Sequence, residues 1–503
     1  MKGRSGIDYL KNLENLIATQ FPQHPGEEKE YVDYFPIGSL YPKSDKKRHR
    51  PDVVSGFPPP SHVALASVRR ELGQSADREQ TGSRITSLEH RLLSHAAGLV
   101  GYGRHDVGGI FSLSHPLVQW YGCRLATGIS LAPAKRHESR VLVSTGNVDL
   151  LHPGQPLFGI KGIDTTLIPA NTEGNLELDR LCSFLENCYR RGVHVDGILL
   201  TQGQKCTGAS DPVAEVQRET TRLRQTYGVL KRPHIHLDIP LHWPFLLFGE
   251  YDTTRNPLDL SLDTIRPLMS SAADAAASDS CSIDLGNWGY TPLPLSLLIV
   301  KNYKNLMPLL PDAAVPRLDG ATPGVIPQAE SSSTDLARLC SLQALHASLS
   351  QLGEDGLRLL AARSIENASY LKERLRESGH VGILHPASIG PGVAFRRYHP
   401  DLGHRAGEIL RAEIQAARRG DTAPLLANSR WHQRQFARQG IRGVRAAWQP
   451  AAAHFVNEPA QHAEPVAAEV ATMLHPRLTA AHIDLFVQGL PGQRQVAEPA
   501  PDY

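Results

Sequence analysis

Apolar residues recur along this chain in two rhythms, and their alternation predicts the architecture. In "SLEHRLLSHAAGLVGY", Ser87 to Tyr102, Leu88, Leu92, Leu93, Ala96 and Leu99 fall at helical spacing, and the pattern predicts a helix capped by Ser87. Downstream, short β-branched or apolar runs predict strands: "RVLVST" (140–145), "DTTLIPA" (164–170), "VDGILLTQ" (195–202), "HIHLDI" (234–239), "SCSIDL" (280–285) and "LSLLIV" (295–300). Between them, 175–192 and 211–228 read as amphipathic helices. Buried strands alternating with such helices predict an α/β fold with a mostly parallel sheet covered on both faces. A long helical segment after residue 334, broken at Gly353, leads to "VGILHPAS" and "GVAFRRYHP", which read as strands of a smaller α+β domain.

The expected organisation is an N-terminal arm with helices (1–86), a large α/β domain (87–325), a small C-terminal α+β domain (326–490) and a tail (491–503). The prolines of "GFPPPSH" exclude regular structure at the end of the arm. With 53 Lys plus Arg against 51 Asp plus Glu, the chain has no broad basic face, which argues against a nucleic-acid partner. The local runs 43–50 and 430–445 read as solvated surface. No run of 18 apolar residues and no signal-peptide core is visible, and the six cysteines form no CxxC pair. A cytoplasmic protein without a membrane span or a structural zinc site is expected.

Several motifs bear on chemistry. "GYGRHDVGG" (101–109) does not follow a strand as a dinucleotide loop would, and reads as a turn. On a strand, His234, His236 and Asp238 of "HIHLDIPLHW" point the same way and could bind zinc or iron; because the triplet lacks a fourth ligand, hydrogen-bonded scaffold is the expected role and a metal site the weaker reading. Neither GxSxG nor a Walker A motif is present.

Four passages in order resemble the group II decarboxylases that depend on pyridoxal 5′-phosphate (PLP), the family of the aromatic amino acid, glutamate and diaminobutyrate decarboxylases. They are "GGIFSLSHPLVQ" (108–119), "GILLTQGQKCTGASDPVAEV" (197–216), "HIHLDIPLHWPFLLF" (234–248) and "DSCSIDLGNWGYTPLPLSLLIVKN" (279–302), with "LHASLSQLGEDGLRLL" (345–360) supporting the match. The resemblance implies fold type I, a PLP cofactor, an amino-acid-like ligand, and a homodimer or a heterodimer with an active relative. It places Asp238 where the family's aspartate pairs with the pyridine nitrogen.

Around that residue the family's pattern is broken. Asn287 takes the place of the Schiff-base lysine, and an amide nitrogen is no nucleophile; Gly286 replaces the neighbouring histidine. Ser114 and His115 replace glycines of the phosphate loop, and Pro116 offers no N–H. The ring-stacking histidine falls near Asn147 or Val148, and Ile239 and Pro240 replace small alanines. The expected function is therefore a decarboxylase-like pseudoenzyme, ligand-binding protein or partner subunit without ordinary PLP Schiff-base catalysis. The alternative is an active carbon–carbon lyase or repurposed enzyme in the same cleft. That version holds PLP non-covalently or through Lys205, or uses Asp238, His236 and His115 as acid, base and anion-holding groups.

Overall fold

The computed structural model describes residues 62–74, 78–103, 106–126, 139–144, 164–171, 173–204, 208–240, 242–291, 293–309, 324–325, 332–398, 405–419, 421, 423–424, 470–473 and 480–489. The arm before residue 62, the tail from 491, the basic runs 43–50 and 430–445, and the candidate residues Asn147, Val148 and Lys205 lie outside them.

In chain order, helices α1 (His62–Gln74) and α2 (Arg78–Val100) precede strand β1 (Gly108–Ser112) and helix α3 (His115–Ala126). Next come β2 (Ser139–Ser144), β3 (Asp164–Ile168), α4 (Leu178–Arg190), β4 (His194–Thr201), α5 (Val213–Tyr227) and β5 (His234–Ile239). The large domain continues with α6 (Leu262–Asp274), β6 (Ser280–Asp284), the single-turn α7 (Leu285–Trp288), β7 (Ser296–Val300) and β8 (Gly324–Val325). After these, α8 (Ser332–Glu377) leads to β9 (Val381–Leu384), β10 (Gly392–Arg397), α9 (Ala406–Arg418), β11 (Val470–Met473) and α10 (Ala480–Gly489).

Eight strands form one sheet in the order β3-β2-β4-β5-β6-β7-β1-β8. It is parallel except where β7 pairs antiparallel with both β6 and β1. The apolar runs predicted these strands because strands covered on both faces cannot alternate with polar residues; all five residues of β7 are buried. A second sheet, β11-β10-β9, is antiparallel. Among the described residues no helix is long and apolar enough to cross a membrane.

Two local expectations are corrected. Ser87 caps nothing: α2 begins at Arg78, because the buried stripe already includes Ile85, and Ser87 lies exposed within the helix. Gly108 and Gly109, expected in a turn, begin β1. Both faces of the strand are packed there, and a Cβ on Gly108 would lie 2.7 Å from Leu306 and one on Gly109 2.7 Å from Leu93. Ser114 to Pro116, the expected altered phosphate cradle, lies at the start of α3, with the Leu117 N–H donating to Ser114 Oγ at 3.4 Å. The break at Gly353 is present, with φ 65° and ψ 176° inside α8.

Candidate functional site

Parallel register brings polar side chains into line at the carboxyl ends of three central strands. Thr201 on β4 pairs with Asp238 on β5, which pairs with Ser282 on β6, and one step earlier His236 pairs with Ser280. Cross-strand partners share a face, and α3 packs over this one.

From α3, His115, Gln119 and Gly122 follow at i, i+4 and i+7 and present one stripe to the strand ends. Asp238 is 1% exposed and its carboxylate is filled by the chain itself. Ser282 Oγ donates to Oδ1 at 2.5 Å, and Gln119 Nε2 donates to Oδ2 at 2.5 Å. His115 Nε2 stands 3.1 Å from Oδ1. Neither His115 ring nitrogen has a hydrogen-bond partner.

His236 lies directly beneath. Its Nδ1 meets Ser280 Oγ at 2.8 Å and its Nε2 meets Ser282 Oγ at 3.2 Å. Desolvation pulls its pKa down to about 3, so the ring is neutral at physiological pH. Gly122 is needed here, because a Cβ at this position would overlap the His236 ring. Fully enclosed, with both nitrogens engaged by serines, His236 positions the sheet end and does not face a ligand. His234 is taken up the same way, its Nε2 2.8 Å from Ser280 Oγ. The shared direction of His234, His236 and Asp238 therefore serves hydrogen bonds across to β6, and among the described residues no His/Cys/Asp/Glu group could hold a metal ion.

Beyond β6 the chain turns into α7, where Asp284 caps by accepting the Gly286 N–H at 3.1 Å. Gly286 also donates to Leu295 O at 2.9 Å, and a Cβ on it would lie 2.9 Å from Leu295 N. A histidine has no room there. Asn287 follows on the same turn, and Trp288 and Tyr290 anchor it in the core, with ring centroids 6.4 Å apart.

A second set of polar atoms is buried without hydrogen-bond partners near the same strand ends: Thr201 Oγ1, both His115 nitrogens and His242 Nε2. His242 is buried by the Gly203 turn, where a side chain would overlap the ring and φ is 79°. Burial pulls its pKa down to about 3. Nearby, Asp211 staples the loop by accepting the Thr201 and Leu176 N–H groups, each at 2.7 Å. Desolvation pushes the Asp211 carboxyl up to about 6. Open crevices at strand carboxyl ends are where α/β sheets bind ligands, and unpaired buried polar atoms mark where a polar ligand would be received.

The residues present fit PLP poorly. Each oxygen of Asp238 already receives a protein donor, so a pyridinium N–H would have to share an oxygen with Ser282 or Gln119. At the N-terminus of α3, Pro116 removes one of the N–H groups that would cradle a phosphate.

Sequence reading missed Gln119, Gly122, Ser280, Ser282 and His242. The signal for the first two was the helical spacing from His115; for the serines it was the two-residue alternation of "SCS", matching that of "HIHLD".

These buried groups predict acid lability. His234, His236 and His242 have native pKa values of about 4, 3 and 3, below their unfolded value. The stability they contribute is present above roughly pH 6.5 and is lost as pH falls, because the unfolded chain takes up protons that the native state refuses. Each histidine contributes at most about 1.4 kcal/mol per pH unit. Asp211 acts oppositely, since its raised value adds stability at low pH that is lost as pH rises through about 6. Urea unfolding between pH 7 and 5 should show a net uptake of roughly two protons on unfolding, falling by about one in His242→Gln.

No family model matches the chain, and no curated protein matches it in sequence. Solved structures do match in fold. The glutamate decarboxylase domain of diaminobutyrate-pyruvate transaminase and L-2,4-diaminobutyrate decarboxylase from Vibrio parahaemolyticus is 13% identical with a TM-score of 0.57, covering 96% of this chain and 92% of that one. Oryza sativa TDC with PLP is 14% identical with a TM-score of 0.57, covering 96% and 94%. Catharanthus roseus tryptophan decarboxylase in complex with L-tryptophan is 16% identical with a TM-score of 0.52, covering 84% and 91%. The mixed, mostly parallel sheet with flanking helices and a small C-terminal domain is thus the fold type I architecture of the group II PLP-dependent decarboxylases.

Proposed function

We propose that this chain is a decarboxylase-fold protein without ordinary PLP Schiff-base catalysis, which uses the crevice at the ends of β4 and β5 to bind a polar, amino-acid-like ligand or acts as a partner subunit. The observation that carries the reading is the Asp238 carboxylate, each of whose oxygens already accepts from the same chain, one from Ser282 and the other from Gln119. In the resemblance, Asn287 stands at the Schiff-base position, and its amide cannot form an aldimine. Thr201, His115 and His242 offer unpaired polar atoms to a ligand in the place of the cofactor. A cytoplasmic homodimer, or a heterodimer with an active relative, is part of the proposal.

Mixing the purified protein with PLP tests it. The expected result is no aldimine absorbance and no cofactor retained covalently after borohydride reduction. A reducible adduct overturns the proposal. If Lys205→Ala abolishes that adduct, the chain is instead a PLP enzyme that has moved its lysine.

A further inference from the structure

Arg397 ends the row of inward side chains on β10. Strand alternation puts Val393, Phe395 and Arg397 on one face. Val393 and Phe395 pack there with Leu371 and Leu375 of α8 and Ile483 of α10. Arg397, paired in register with Val381, is 1% exposed.

Its neighbour Arg396 faces the other way and is neutralised by Glu413 of α9, at 3.1 Å; Tyr398 donates to the same carboxylate at 2.8 Å. Arg397 has no such partner. No ion pair among the described residues involves it, and its Nε and Nη2 are buried without hydrogen bonds. Desolvation lowers its pKa to about 10, so it remains charged at neutral pH. Buried charges are paired or ligated because an isolated ion in an apolar interior is strongly disfavoured. Nε–H and Nη2–H form the edge of a guanidinium that makes two parallel hydrogen bonds to a carboxylate.

We propose that this edge of Arg397 binds the carboxylate of a small monoanionic carboxylic acid. One guanidinium matches one negative charge, and a phosphate dianion would need a second cation. His380 does not supply it: its Nδ1 meets Ser378 O at 2.6 Å, and burial, followed by the charge of Arg397, holds its pKa below the ordinary imidazole value. The site belongs to the small sheet and is independent of the reading of Asp238.

The test uses the full chain with butyrate as probe, and butyramide and sodium chloride as controls. Butyrate should raise the thermal midpoint saturably and raise the His380 pKa, assigned against His380→Gln, because the bound anion cancels the guanidinium charge. Arg397→Met should abolish the midpoint shift. Arg397→Lys keeps the charge but lacks the two-pronged edge, and should bind at least about tenfold more weakly. The proposal is overturned if butyrate moves neither midpoint nor His380 in the native sequence, if butyramide acts equally, or if Arg397→Met responds alike. Should Arg397→Met fail to fold, the His380 titration in the native sequence decides by itself.

Discussion

Asp238→Ala is expected to lower the unfolding free energy by about 3–5 kcal/mol, with no PLP present. The carboxylate is the common acceptor for Ser282 and Gln119, so its removal strands both buried donors at once. If Asp238 were a vacant cofactor ligand, its loss would affect cofactor binding and leave the cofactor-free protein nearly untouched. Urea unfolding of Asp238→Ala and Asp238→Asn separates the two cases. The amide should cost less than alanine, because it keeps one acceptor for Ser282 or Gln119 and preserves the volume. Near-native stability of Asp238→Ala would remove the basis for a self-satisfied site.

Gly122→Ala is expected to be comparably damaging, about 3 kcal/mol or more, although alanine is ordinarily the better helix former by roughly 1 kcal/mol. The added methyl would occupy the space of the His236 ring. That ring cannot swing aside without breaking its bonds to Ser280 and Ser282. A double-mutant cycle isolates the cause. In a His236→Ala background the pocket has room for the methyl, and Gly122→Ala should become nearly neutral or stabilising. An unchanged cost there would mean that the glycine serves the helix backbone and not the ring.

The site was legible from sequence in proportion to how local its causes are. "HIHLDI" was readable as a strand from its own composition, and its observed bounds are those six residues. Position 287 stood out because the passage around it resembles a known motif. The packing of Gln119 and Gly122 against β5 was invisible in the "SLSHPLVQ" passage itself, because its partners Asp238 and His236 lie far along the chain. Likewise β1 was missed because two glycines lower strand propensity, while the close packing of Leu306, Tyr303 and Leu93 against the strand demands them.

By itself, the sequence determined the alternation of strands and helices, the break at Gly353, and the absence of an amine at position 287. Those properties follow from periodicity and residue chemistry, which act over a few residues. Only the tertiary structure decided where the Asp238 carboxylate spends its hydrogen bonds, since Gln119 lies 119 residues away and Ser282 lies 44. It also decided that Arg396 is neutralised and Arg397 is not, a distinction between adjacent identical side chains. Strand pleat sends the two to opposite faces, and what waits on each face is set by helices far along the chain.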